Sequence, residues 1–278
     1  MNSKMSQLTP SVRAPAVAGM FYPGESRELA QALTDLLGAA AHDAPERAVP
    51  KAIIAPHAGF VYSGPVAASV YTLLAPARRS IKRVVLLGPT HRVAVRGLAL
   101  PGCGAFATPL GTVEIDADAV EALRGMTQVV VSAQAHALEH SLEVHLPFLQ
   151  TAIEKFKLVP LAVGHCGAEE VAAVLDALWG GPETLIVVSS DLSHYLSYAD
   201  AQAVDRATAK AILGLAADIS HEQACGATPV MGLTCVARRR GMKPELIDLR
   251  NSGDTAGDRN RVVGYGSFAF YEAAPDAR

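Results

Sequence analysis

Thiols and tryptophan are scarce in this chain, which has four cysteines and one tryptophan in 278 residues. Cys103, Cys166, Cys225 and Cys235 form no C-x-x-C pair. Cysteine usage of this kind does not read as a disulfide framework and fits a reducing compartment. Charge is also sparse. With 24 Lys and Arg against 27 Asp and Glu, the net charge is −3, so there is no broad basic field to attract nucleic acid or anionic lipid. The one basic run, Arg238 to Arg240, stands just before Gly241, where the last turn of a helix favours cations. No uninterrupted apolar run reaches the ~18 residues needed to span a bilayer, and the N-terminus lacks the apolar core of a signal peptide. These absences predict a cytoplasmic protein with neither membrane nor nucleic acid as partner.

Phosphate signatures are missing too. NSGDTAGDRNR, residues 251–261, contains glycines but has neither P-loop nor dinucleotide spacing, and reads as a long loop before the last strand. There is no G-x-S-x-G nucleophile elbow. No repeat or low-complexity linker divides the chain, so a single domain over residues 1–278 is expected. Its least structured stretches should be HDAPERAVP at 42–50 and the terminal APDAR.

What is present is a core-forming composition, half hydrophobic, in strands alternating with helices. Short β-rich runs fall at 51–55, 83–87, 95–100, 112–115, 128–131, 157–163, 184–189, 245–249 and 262–271. Helical periodicity is expected from Ser26 onward, and at 65–76, 117–124, 139–156, 168–179, 199–215 and 228–240. RVVLL and TLIVV are continuous apolar runs, as in strands covered on both faces. The alternation predicts a three-layer α/β/α domain with a mixed, largely parallel central sheet; residues 95–115 resemble a hairpin-type insertion.

Three of these strands end alike. Residues 51–55 run into Pro56-His57, residues 84–87 into Gly88-Pro89-Thr90-His91, and residues 185–188 into Ser189-Ser190-Asp191-Leu192-Ser193-His194. Ligands of open α/β sheets bind beyond the carboxyl ends of the strands. If the three strands are parallel neighbours, three imidazoles converge there, suited to hold a metal and to move protons. Cys225 sits near a helix N-terminus, a position that favours the thiolate form that binds metals, yet composition alone does not separate it from Cys103 or Cys166. Cys235 should pack as a small hydrophobe. ALEHSLEVHLPFL is one residue too long for the H-x-x-E-H zinc-protease pattern. On a helix, His140 and His145 would lie about 140° apart and could not share an ion. Its carboxylates and imidazoles suit the orientation of ligands instead.

Taken together, AGMFYPG, APHAGFVYSG, LLGPTHR, EHSLEVHLPFL, SSDLSHY and the ACG at 224–226 resemble the Memo family, in order and over most of the chain. The resemblance implies a fold similar to the class III extradiol dioxygenases, with a non-haem metal at the strand ends. It implies His57, His91 and Cys225 as metal ligands, His194 as acid–base histidine steered by Asp191, and His140 in or near the pocket. Phe21, Tyr22 and Tyr62 are expected to line that pocket. Fe(II) is the implied cofactor, with copper or zinc as alternatives because the third donor is a thiolate rather than the carboxylate of extradiol enzymes. The implied activity is that of an oxygenase or oxidoreductase acting on a small-molecule or peptide ligand in the cleft. The alternatives are a non-catalytic metal-binding regulatory module and a zinc hydrolase. Proteins of a radical-SAM system are the implied partners.

Overall fold

A computed structural model describes residues 9–41 and 48–273. Of the expected loop at 42–50, residues 42–47 lie outside the described residues, as does the terminal APDAR. The chain opens with β1 (Thr9–Arg13), α1 (Ser26–Ala41), β2 (Ala52–Ala55) and α2 (Phe60–Tyr71), the last running into a 3-10 turn, Thr72–Ala77. Next come β3 (Arg83–Pro89), β4 (Leu98–Leu100), β5 (Cys103–Thr108), β6 (Gly111–Glu114), α3 (Ala117–Ala122), β7 (Val129–Val131) and α4 (Ala133–Ala137). The second half holds α5 (His145–Ala152), β8 (Lys157–Val163), α6 (Ala168–Leu178), β9 (Thr184–Ser189), β10 (His194–Leu196), α7 (Tyr198–Leu213), α8 (Ala227–Arg239), β11 (Lys243–Asn251) and β12 (Val262–Tyr271).

Among the described residues, nine strands form one sheet in the order β10-β12-β2-β9-β3-β8-β4-β7, with β11 pairing β12. The centre, β2-β9-β3-β8, is parallel. β12 runs antiparallel to β2, and β4 antiparallel to β8. The sheet is therefore mixed, as expected, but parallel mainly at its middle. RVVLL and TLIVV are buried at nearly every position, because helices cover both faces. α1, α2 and α5 pack together, as do α6 and α8. The expected insertion is the β5–β6 hairpin, which joins β1 in a separate three-stranded sheet. β1 escapes sequence reading because TPSVR is exposed everywhere except Arg13.

One stretch, Phe60–Ala77, has the length and mean hydropathy of a membrane span, yet 61% of it is buried inside the fold, as for a core helix. All four cysteines are free.

The largest departure concerns residues 139–156. Only His145–Ala152 is helical, and residues 141–144 form turns. The break has an electrostatic cause. The Glu139 carboxylate accepts the amide hydrogens of His140 and Ser141 at 2.9 and 3.0 Å, so the chain wraps around a side chain instead of starting a helical ladder.

Candidate metal centre

β2, β9 and β3 are adjacent and parallel, so their carboxyl ends share one edge. Beyond β2 stands His57 and beyond β3 stands His91. His140 joins them from the turn at 139–144, which is tied to the end of β3 by a 2.7 Å bond from Ser141 Oγ to the Pro89 carbonyl. Ring centroids are 5.2 Å apart for His57 and His91, 5.3 Å for His57 and His140, and 4.6 Å for His91 and His140. One ligand nitrogen from each ring lies within 4.8 Å of the others. The sequence pointed to the strand-end histidines, His57, His91 and His194. The structure assembles the first two with His140, while His194, opening β10, lines the same cleft.

The tautomers follow from the partners. Ser189 Oγ gives its one proton to the Ser141 carbonyl at 2.6 Å, so it accepts from His57 Nδ1, also at 2.6 Å. The Glu139 carboxylate can only accept, and His91 Nδ1 lies 2.8 Å from it. His140 Nδ1 is 3.3 Å from the same oxygen. His57 and His91 thus carry hydrogen on Nδ1, which leaves Nε2 as the nitrogen open to a metal. Metal-binding histidines are oriented by this type of outer partner. Burial and the neighbouring imidazoles hold the His57 pKa well below its usual value, and burial with His91 brings that of His140 down to about 4. Both are neutral near pH 7, the state that binds metal.

Glu139 also accepts from the His91 amide at 2.6 Å. Its burial would raise its pKa, but the bonds from His91 and Ser141 win and bring it down to about 2. It is thus a charged, buried clamp on two members of the trio.

Cys225 stands beside the trio, its Sγ 3.4 Å from His57 Nε2. Two bonds fasten it above the end of β9: Cys225 N to the Asp191 carbonyl at 3.3 Å and Gly226 N to Ser190 Oγ at 2.9 Å. Cys103 and Cys235 are buried in the core instead. The position near the N-terminus of α8 does not make Cys225 acidic. Burial pushes its thiol up to about 12, with Asp191 adding to the rise, so a thiolate there needs a cation beside it. A Cβ on Gly226 would come within 2.5 Å of the Ser189 carbonyl oxygen and 2.7 Å of Ser190 Cβ. Gly226→Ala should therefore displace this turn and cost about 1–3 kcal/mol, read as a lowered urea midpoint; an unchanged midpoint would show that the turn yields freely.

Asp191 lines the same cleft. Its Oδ1 accepts from the amides of His57 and Ala58 at 2.7 and 3.3 Å, so it fixes the backbone of a trio member. Burial raises its pKa to about 6 against those amide bonds.

The cleft occupies about 860 Å³ and is lined by His57, His91, His140, Asp191 and His194 together with Phe21, Tyr62, Arg92, Tyr195, Arg261 and Tyr265 among others. Phe21 and Tyr62 line it as predicted. Tyr22 does not, because it is buried with its hydroxyl 2.6 Å from Glu143. His136 and His145 go elsewhere, with ring nitrogens bonded to the Ala99 carbonyl and the Tyr71 hydroxyl. His140 and His145 thus face different surroundings, which removes the zinc-protease arrangement.

A family model described as "Memo-like protein" matches residues 13–269. Among curated relatives, a MEMO1 family protein of Aquifex aeolicus is 36% identical over 91% of this chain and 97% of its own length. MEMO1 family protein MTH_45 of Methanothermobacter thermautotrophicus is 34% identical over 91% of this chain and 98% of its own. A solved structure, the uncharacterized protein JW3007 of Escherichia coli K12, is similar at a TM-score of 0.49 and 14% identity over 77% of this chain and 98% of that one, too distant to inform the site.

Proposed function

The chain belongs to the Memo family, and on that footing we propose that it binds one Fe(II) ion at the strand-end histidines and acts as an oxygenase or oxidoreductase on a small ligand in the cleft. The observation that carries the reading is the set of imidazoles, His57, His91 and His140, whose ligand nitrogens lie within 4.8 Å of one another. Nδ1 of His57 and of His91 is already engaged, by Ser189 and Glu139 respectively. His57 and His91 are the ligands common to every arrangement. Cys225, 3.4 Å from His57 Nε2, would supply the thiolate, and His140 stands as a further imidazole donor.

A bound ferrous ion would supply redox chemistry with dioxygen. The protein supplies the rest. Glu139, Ser189 and Asp191 hold the ligands in place. Phe21, Tyr62 and Tyr265 shape the cleft. His194 lines it without any side-chain hydrogen bond to a described residue, free to take a proton from a bound substrate and return it. Positioned transfer of this kind contributes ~10²- to 10⁴-fold.

Metal analysis after anaerobic purification tests the reading. One iron per chain is expected in the wild type and none in His57→Ala, with oxygen uptake on a catechol and amine panel lowered at least ~10²-fold in His194→Ala. Stoichiometric zinc, or iron retained without His57, would overturn it. The soft sulfur donor favours a second reading, a copper- or iron-binding module without turnover. Biological activity that survives His194→Ala but not Cys225→Ser would select that one.

A further inference from the structure

We propose that the cleft takes a small planar acid, whose anionic group is held by Arg92 and Arg261. The inference rests on the metal reading only for which end of the ligand faces the histidines.

Arg92 directly follows His91, and Arg261 directly precedes β12; both line the cleft and both are exposed. Neither guanidinium has an ion-pair or hydrogen-bond partner among the described residues. The charge of Arg92 acts on the His140 ring. Arg261 is held 5.0 Å over the ring of Tyr195. A single acid, Asp258, shares the rim, and its Oδ1 accepts the Asn260 amide; the other cleft carboxylate, Asp191, is buried and bonded to amides. The rim therefore has more positive than negative charge, and no lysine lines it. Guanidinium groups without lysines or a glycine-rich cradle suit a carboxylate, which pairs with them side-on.

Tyr195 supplies the second observation. Its φ of 59° is in the left-handed region, where a bulky residue is strained. It sits where the register between β10 and β12 slips, so that His194 pairs with Val263 and Leu196 with Val262. The residue is 63% exposed, so burial of its side chain does not account for the strain. What the strained backbone achieves is to set this ring beside His194, at 5.9 Å, and under Arg261. With Phe21 and Tyr62 also lining the cleft, flat aromatic faces surround a ligand whose charge the arginines meet.

The test compares 3,4-dihydroxybenzoate with its neutral amide, 3,4-dihydroxybenzamide, by isothermal titration calorimetry at low salt. Metal-free protein and anaerobically Fe(II)-loaded protein are both titrated. The acid should bind about tenfold tighter than the amide, a preference within reach of two charge-assisted contacts. Arg92→Gln and Arg261→Gln should each shrink that preference, and the double variant should erase it. Tyr195→Gly relieves the strained backbone, so it should keep the wild-type urea midpoint while weakening the acid severalfold. Equal affinities in the wild type, a preference that survives the double variant, or no binding of either compound would overturn the inference. Discrimination in protein that retains no metal would leave it standing while removing the metal reading, and metal binding without discrimination would do the reverse.

Discussion

Glu143→Ala should destabilise the fold by about 3–5 kcal/mol, the cost of stranding a buried charge. The residue is fully buried and receives four donors: Arg13 Nη1 at 2.5 Å, the amides of Ala16 and Val17 at 2.7 and 2.9 Å, and the Tyr22 hydroxyl at 2.6 Å. Arg13 itself is buried and spends its other nitrogens on the carbonyls of His136 and Glu139. Removing the carboxylate strands a guanidinium, two amides and a hydroxyl together. The segment from Arg13 to Tyr22 carries Phe21 to the cleft, so its release should also loosen the Phe21–His140 ring contact, now 4.8 Å. Urea unfolding followed by circular dichroism reads the effect; a loss below about 1 kcal/mol, the worth of one ordinary hydrogen bond, would show that this carboxylate does not anchor the segment. Glu143→Gln, which can still accept from the amides, should cost less.

Glu139→Gln should lower metal affinity by about 10–100-fold while leaving all three histidines in place. The wild-type carboxylate holds His91 at both its amide and its ring, and lies against the His140 ring. An amide side chain keeps one acceptor oxygen but loses the charge that makes the imidazoles stronger donors, and it turns an NH₂ towards a ring N–H or a backbone amide. Competition with a chelator of known affinity measures the change. A merely structural role would lower the urea midpoint and leave the affinity of the folded fraction intact. Unchanged affinity would remove Glu139 from the site.

How much of this was legible in the sequence varies by element. The central strands were, because continuous runs such as RVVLL have no other way to be buried than between two helical layers. The convergence of His57 and His91 followed from that, since parallel neighbours place their carboxyl ends side by side. His140 was assigned to the cleft by family resemblance, but its place in the trio was not readable. The apolar spacing of Leu142, Leu146 and Leu149 mimics a helix, and only the Glu139 carboxylate, folded back on its own following amides, turns that segment into a loop. The strand-end pattern instead favoured His194 as the third ring. Leu192, Ser193 and the start of β10 carry that residue across to the antiparallel side of the sheet, against β12. Cys225 could not be told from Cys103 or Cys166 by composition, because what distinguishes it is the anchoring of its turn, Cys225 N to the Asp191 carbonyl and Gly226 N to Ser190 Oγ, across 34 or more residues of chain. Arg92 and Arg261 gave no sequence signal, since an exposed arginine in a loop is ordinary until a shared cleft relates it to another.

The most direct test of the account is X-ray absorption at the metal edge of anaerobically reconstituted protein, wild type beside Cys225→Ser. The account predicts a single ion coordinated by imidazole nitrogen in both proteins, with a sulfur neighbour at roughly 2.3 Å in the wild type alone. An ion with no imidazole around it, or a sulfur signal that persists in Cys225→Ser, would contradict it.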